Sequence, residues 1–299
     1  MRYRRFGRLG WQVGEVGLGG AWLGGRENEI PIEKAAETVR VALELGVNYI
    51  DTAPAYGHYY SEHIIGYALE DWQEKVYVAT KVGRLPDRFD YTKDGVWRSL
   101  EGSLKRLRRD NIDLLQIHES EIAGWERIFG KDGALEAMKE LRSQGLIQGI
   151  GITGADIDLM VQAVETGEFD SVLTYNRYDL VTQEAKLKLV SVAAEHDVAV
   201  VLGSPLHMGL LGSRKEELVR ERPSYVTEEM VRKLDKLEEM AEEFGDSLAQ
   251  FALRYLLSDS RISVVIPATH RPERVAENVA VSDGPRLPEE LVKEIESLW

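Results

Sequence analysis

The feature that most constrains this chain is a repeated alternation of short β-branched runs with segments of helical period. After an opening "YRRFGRLG", the runs are "VGEVGLGG", "VNYIDTA", "KVYVATKVG", "NIDLLQIHE", "LIQGIGITG", "FDSVLTYN", "VAVVLGSPL" and "RISVVIPAT". Between them lie segments such as "PIEKAAETVRVALELG", where Ala35, Val39, Ala42 and Leu43 share a stripe and Gly46 supplies a helix stop. "GVWRSLEGSLKRLRRD", "GALEAMKELRSQG", "ADIDLMVQAVETG" and "TQEAKLKLVSVAAEHD" repeat the pattern. Strands alternating with helices specify βαβ units and a parallel sheet. Eight such units in 299 residues fit an α/β fold of the (β/α)8 TIM-barrel type better than an open doubly wound sheet. The first run, with "WQVGEVG" close behind it, predicts an N-terminal β-hairpin. Near residues 205–265 the spacing lengthens; helices are expected over about 227–243 and 246–257, a long loop before 227, and a final helix in "PEELVKEIESLW". No low-complexity segment or linker interrupts 1–299, so a single domain is expected.

Composition narrows the function classes. Hydrophobic residues make up 43% and charged residues 29%, a globular profile. No apolar run reaches the roughly 20 residues of a membrane span, and the basic start lacks the apolar core of a secretory signal, so a cytoplasmic location is the expectation. With no cysteine, disulfides, thiolate nucleophiles and Cys-ligated metals are excluded. A formal net charge of -14 argues against nucleic acid and anionic membrane as partners. The partner expected is a small molecule; the number of subunits is left open.

In such barrels the chemistry sits where strands run out into βα loops. The second strand ends at Asp51, the third at Lys81 and the fourth at His118, with Tyr56 in the loop after the first of these. Each alone has a plain explanation: an Asx turn, a snorkelling amine, a hydrogen-bonded imidazole. Three on successive strands converge on one mouth. An ammonium beside a phenol favours phenolate and lowers a tyrosine pKa from its ordinary value of about 10. Asp51 would keep Lys81 charged, a neutral His118 would orient a carbonyl oxygen, and a tyrosine so tuned is a general acid or base. The residues leave other classes open: Lys81 as a Schiff-base amine of an aldolase-like lyase, or a regulatory nucleotide-binding protein of the same fold.

Asp51-Thr52-Ala53 with Tyr56, then Lys81, then His118 resembles the catalytic tetrad of the aldo-keto reductases. "LGVNYIDTAPAYGHYYSEHIIGYAL", "VATKVGR", "SLKRLRRDNIDLLQIH", "LRSQGLIQGIGITG" and "IPATHRPERVAENV" look like that family's segments in its order. "ATKVGR", "GITG" and "GSPLHMGLLG" look most like its sugar-oxidising branch, the L-galactose, L-fucose and D-threo-aldose 1-dehydrogenases. The resemblance implies an NAD(P)-dependent oxidoreductase that moves a hydride between nicotinamide C4 and a carbonyl or alcohol carbon of an aldose or small aldehyde, with Tyr56 as proton carrier and no metal.

The resemblance also places a cofactor, NADP with NAD as the alternative. "GLGG" at 17–20 lacks the spacing of a dinucleotide fingerprint and reads as close backbone packing. Nicotinamide contacts are expected from Thr153 and Gly154, where relatives often carry Ser-Asn, and from Ser204, Leu206 and Gly209. Val172 stands where many relatives have a glutamine, and Gly203 with Ser204 where many have a ring-stacking tyrosine. Thr269, Arg271 and Arg274 are expected at a 2′-phosphate, with Glu277 and Asn278 at the adenine; Ala268 replaces a lysine seen in many NADP-using relatives. Trp22, Tyr56 and His118 are the expected substrate contacts. Trp125 is expected to pack on the barrel rim.

Overall fold

The structure, a computed structural model, describes residues 1–25 and 27–299. The expected hairpin forms from β1 (Tyr3–Phe6) and β2 (Trp11–Gly14), paired antiparallel with Phe6 opposite Trp11. The barrel strands are β3 (Leu18–Gly19), β4 (Tyr49–Asp51), β5 (Tyr77–Val82), β6 (Ile112–Ile117), β7 (Ile147–Thr153), β8 (Ser171–Tyr175), β9 (Ala199–Gly203) and β10 (Val264–Ile266). They lie in sequence order in one 8-stranded parallel sheet. Parallel bridges Val16–Val265 and Gly19–Ala268 join its two edges, so the barrel closes. Gly17 lies at that seam because a Cβ there would come 2.9 Å from the Tyr49 carbonyl oxygen.

The helices are α1 (Ile32–Glu44), α2 (Tyr60–Leu69), α3 (Lys93–Leu107), α4 (Ser120–Ala123), α5 (Trp125–Phe129), α6 (Ala134–Ser143), α7 (Ile157–Glu165), α8 (Glu184–Leu187), α9 (Leu189–Glu195), α10 (Lys215–Glu221), α11 (Glu228–Phe244), α12 (Leu248–Leu257), α13 (Pro272–Asp283) and α14 (Glu289–Glu296). Local signals set many of their ends. Gly46, at φ 90°, turns the chain after α1 toward β4. Thr227 caps α11 through the Met230 N–H, and Ser247 with Gln250 forms a capping box on α12.

One expectation fails in the segment before 227, which is not all loop. Residues 215–221 form α10, because Leu218 buries against the core and Lys215 pairs with Glu238 of α11 at 2.5 Å. An apolar side chain every turn suffices to fold so short a segment when a neighbouring helix is there to receive it.

Two apolar layers position the site. The thick one, between strands and helices, takes Ile50, Val78, Val82, Leu115, Ile117 and Val172. The thin one fills the lumen with Tyr49, Ala79, Leu114, Leu173, Val201 and Val264. The hairpin plugs the N-terminal end: Phe6 packs on Tyr49 at 5.3 Å between ring centroids and Trp11 stacks on Tyr77 at 4.6 Å. With one end plugged, ligand access is confined to the opposite mouth. Among the described residues no helix is long and apolar enough to cross a membrane.

Candidate active site

Strand alternation decides which side chains reach the mouth. Tyr49 and Ala79 face the lumen, so Asp51 and Lys81, two residues on, face it also; from Leu114 the same step leads to Gln116 and His118. The structure therefore brings together Asp51, Lys81 and His118, with Tyr56 arriving from the following loop. Asp51 and Lys81 are each 1% exposed and His118 4%.

The Lys81 ammonium donates to Asp51 Oδ1 and to the Thr52 carbonyl oxygen, the latter at 2.8 Å. It also lies 4.7 Å from the Tyr56 ring centroid. Two of its three donors are thus occupied within the site, and the third faces the Tyr56 side. Asp51 Oδ2 accepts from Gln116 Nε2 at 2.7 Å, and Gln116 sits opposite Lys81 in the β5–β6 register. Gln116 went unnoticed among the candidate residues, although its place in "LLQIH", two before His118, was signal enough. Tyr56 and His118 meet edge to face, 5.8 Å apart at 85°.

The loop carrying Tyr56 is bent hard. Gly57, His58 and Tyr59 all have positive φ, at 58°, 51° and 73°. For non-glycine residues such geometry persists only where the surroundings impose it. Here Thr52 Oγ1 and Ser61 Oγ share a hydrogen bond of 2.8 Å across the loop base, and Asn28 Nδ2 donates to the Gly57 carbonyl at 3.0 Å. Behind the loop the Arg106 guanidinium lies 4.5 Å over the Tyr59 ring while its Nε donates to buried Glu62 at 2.6 Å. Pro54 takes part through its carbonyl, which accepts from Tyr59 N at 2.8 Å.

Electrostatics distinguishes the groups. Burial pushes the Lys81 ammonium down, yet Asp51 and the Tyr56 phenol overcome it and its pKa ends raised. His118 is held well below its ordinary value, by burial first and then by the charges of Lys81 and Arg84, so it is a neutral imidazole. Tyr56 departs from expectation. Burial raises its pKa, Lys81 pulls it down without prevailing, and Asp51 adds to the rise. The net direction is upward, not the downward shift read from Lys81 alone, so the side chain rests as a phenol.

The expected cofactor residues fall into two groups. At the mouth, Thr153 is buried and its Oγ1 accepts from Glu119 N at 3.2 Å, which leaves the hydroxyl hydrogen free to donate. Gly154 is needed there because a Cβ would lie 2.4 Å from Ser120 Oγ. Ser204 and Gly209 turn the chain after β9 at φ 48° and 98°, and Leu206 packs partly buried between them. Val172 does not face this space; it lies in the helix-side layer, and Leu173 and Tyr175 are the β8 residues of the lumen face. Gly203 stands opposite Tyr175 in register.

At the other end, Thr269 Oγ1 accepts from Arg271 N at 3.1 Å, and Thr269 and Asn278 line a small cavity with Gly17 and Pro267. Arg271 donates to Glu273 at 2.7 Å and Arg274 to Glu277 at 2.5 Å. Arg271 and Arg274 are therefore each engaged with a carboxylate, and an anion there would have to displace Glu273 and Glu277. Trp22 stands 37% exposed in the turn after β3. Trp125 stacks on Phe129 at 4.0 Å, on the rim as expected.

Two features of the chain suit a nicotinamide dinucleotide. His118 Nδ1 is buried with no hydrogen-bond partner among the described residues, a polar atom awaiting a ligand. The N-terminus of α13 follows the Thr269–Arg271 turn, and although Pro272 has no N–H and Arg274 and Val275 donate to the Arg271 carbonyl, its dipole favours a phosphate. No group of three or more His, Asp or Glu among the described residues could hold a metal ion.

L-galactose dehydrogenase of Arabidopsis thaliana is 30% identical over 306 residues, covering 99% of this chain and 93% of that protein. D-threo-aldose 1-dehydrogenase of a Pseudomonas species is 25% identical, covering 90% of this chain and 89% of that protein. Among solved structures, the holo form of aldo-keto reductase AKR11C1 from Bacillus halodurans superposes with a TM-score of 0.83 at 26% identity, over 100% of this chain and 96% of that one. Residues 15–299 match the sequence profile of the aldo/keto reductase family, and the chain belongs to that family.

Proposed function

We propose that the chain transfers a hydride between a nicotinamide cofactor and the carbonyl or alcohol carbon of an aldose or small aldehyde, with Tyr56 as the proton carrier. The observation that carries the reading is the buried Asp51–Lys81 pair set against Tyr56 beside a neutral His118. When bound, the nicotinamide supplies or accepts the hydride. The protein's part is the proton and the geometry. Tyr56, held as a phenol, gives its proton to the carbonyl oxygen as hydride reaches the carbon, and takes it back in the oxidative direction. Lys81 then faces the phenolate that forms, at a distance where its charge is least screened. Asp51 and Gln116 fix Lys81, and His118, unable to carry a charge of its own in this site, donates to the substrate oxygen.

Thr153, Gly154, Ser204, Leu206 and Gly209 would meet the nicotinamide end, and Thr269, Arg271, Arg274, Glu277 and Asn278 the adenosine end. The basic cluster favours NADP over NAD. The relatives that oxidise sugars favour an aldose as substrate. A Schiff-base role for Lys81 is disfavoured, because a buried amine held protonated by Asp51 is no nucleophile.

The test is a paired screen of NADP and NAD against aldoses, lactones and simple aldehydes, followed at the reduced-nicotinamide absorbance in both directions. Turnover is expected, and Tyr56→Phe should lower kcat by about 10²–10⁴ while leaving cofactor binding in place. Turnover unchanged by that substitution would refute the assignment, and borohydride trapping of a ketose on Lys81 would move the protein to another class.

A further inference from the structure

A second tyrosine stands at the same mouth. Tyr175 ends β8 on the lumen face, at the mouth that also holds Tyr56. Its hydroxyl donates to Glu121 Oε1 at 3.1 Å, and Glu121 Oε2 in turn accepts from Ala155 N at 3.3 Å. Directly across the register is Gly203, which presents no side chain beside the ring. Glu119, next to His118, is drawn to Arg84 on the same rim.

The two phenols have opposite surroundings. Tyr56 faces an ammonium; Tyr175 faces carboxylates, and after burial itself Glu121 and Glu119 are what hold its pKa far above the ordinary value. Two titratable groups of one kind, driven apart by their environments, take different roles. The Tyr175 proton is committed to Glu121, so what its oxygen offers the pocket is lone pairs. A carboxylate behind it adds negative potential. Such a wall accepts from hydroxyl groups and repels anions.

We propose, resting on the hydride-transfer reading above, that Tyr175 held by Glu121 is a specificity-determining residue that accepts a hydrogen bond from a hydroxyl neighbouring the reacting carbonyl, so that the site selects uncharged polyhydroxylated substrates over bare or anionic aldehydes. The chemistry stays with Tyr56; Tyr175 touches the substrate beside the reacting carbon.

The experiment measures kcat and KM for D-glyceraldehyde, propanal and glyoxylate with wild type, Tyr175→Phe, Glu121→Gln and Tyr56→Phe, with thermal midpoints to verify folding. Tyr175→Phe should lower the kcat/KM ratio of D-glyceraldehyde over propanal about tenfold, the worth of one hydrogen bond. Glu121→Gln, which keeps an acceptor and removes the charge, should raise the glyoxylate-to-propanal ratio about threefold or more. A glyceraldehyde-to-propanal ratio unmoved in Tyr175→Phe, with turnover intact, overturns the proposal and spares the hydride-transfer reading. Loss of turnover on every aldehyde in Tyr175→Phe, to the level of Tyr56→Phe, also overturns it by making Tyr175 the proton donor. Absence of nicotinamide-coupled turnover in the wild type overturns the functional reading and the proposal together.

Discussion

Replacing Asp51 by Asn leaves the Lys81 ammonium buried at 1% exposure with only neutral acceptors, the new amide oxygen and the Thr52 carbonyl, in place of a counter-charge. Breaking a buried ion pair from one side costs about 3–5 kcal/mol, because the remaining charge is neither solvated nor paired. Lys81→Met leaves Asp51 with the Gln116 amide and should cost a similar amount. In the double variant no charge is stranded, so its cost should fall short of the sum by about 2–3 kcal/mol, a coupling of the size expected for residues in one network. Urea unfolding of the four proteins at pH 7 measures this from the shift in midpoint at constant slope. In a chain of this length each kcal/mol lowers Tm by about 1.6 °C, so either single variant should melt roughly 5–8 °C below the wild type. The Lys81 pKa is raised in the folded protein above its ordinary 10.5. Its contribution is therefore full below that value and is lost as pH rises through the folded pKa, so the gap between wild type and Lys81→Met should close at strongly alkaline pH. Costs that simply add, with coupling below about 0.5 kcal/mol, would refute the view that the two charges hold each other in place.

Three further outcomes follow from the same geometry. Since Tyr56 rests as a phenol with a raised pKa, kcat/KM for alcohol oxidation should climb toward alkaline pH; in Lys81→Met, which removes the one strong lowering influence, the climb should move further alkaline, as read from pH–rate profiles. Gly57→Ala places a Cβ 2.3 Å from Asn28 Oδ1 on a residue at φ 58°, so it should cost about 1–3 kcal/mol in unfolding experiments and reduce kcat by displacing Tyr56. His207 bonds Asp179 through Nδ1 at 2.8 Å and the Tyr225 carbonyl through Nε2 at 2.9 Å; burial lowers its pKa, but Asp179 overcomes this and the net direction is up. A raised folded pKa stabilises fully below the unfolded value of about 6.5, so the stability difference between wild type and His207→Ala should be largest there and shrink as pH rises through the folded pKa.

The barrel and its four central side chains were legible because both rest on local patterns. A β-branched run followed by a helical stripe fixes the βα order, and a polar residue ending such a run points at the mouth whatever the rest of the chain does. What escaped depends on phase and on neighbours far apart in sequence. Val172 is read only by resemblance, as standing where relatives carry a glutamine, and a one-residue difference in strand phase is enough to turn a side chain from the lumen to the helices. Counting by two from Leu173 reaches Tyr175, just as counting by two from Leu114 reaches Gln116 and His118, so the lumen face could be followed residue by residue once one member was known. The helix at 215–221 depends on where α11 lies, which no window of sequence reports.

The Tyr56 pKa is the deepest of these misses, because the sequence supplied the right charges and the wrong sign. Lys81 lies close enough to lower it, as expected, but the same tight packing that brings the ammonium near also strips water from the phenol. Desolvation and Coulomb attraction both grow with burial and oppose each other here. Asp51, required to keep Lys81 charged, adds its own repulsion to the phenolate. On the proposed reading, such a site keeps its proton at rest and would yield it as negative charge develops on a substrate oxygen beside His118 and Lys81. A raised value suits a proton donor, and the ammonium's part would come later, in stabilising the phenolate.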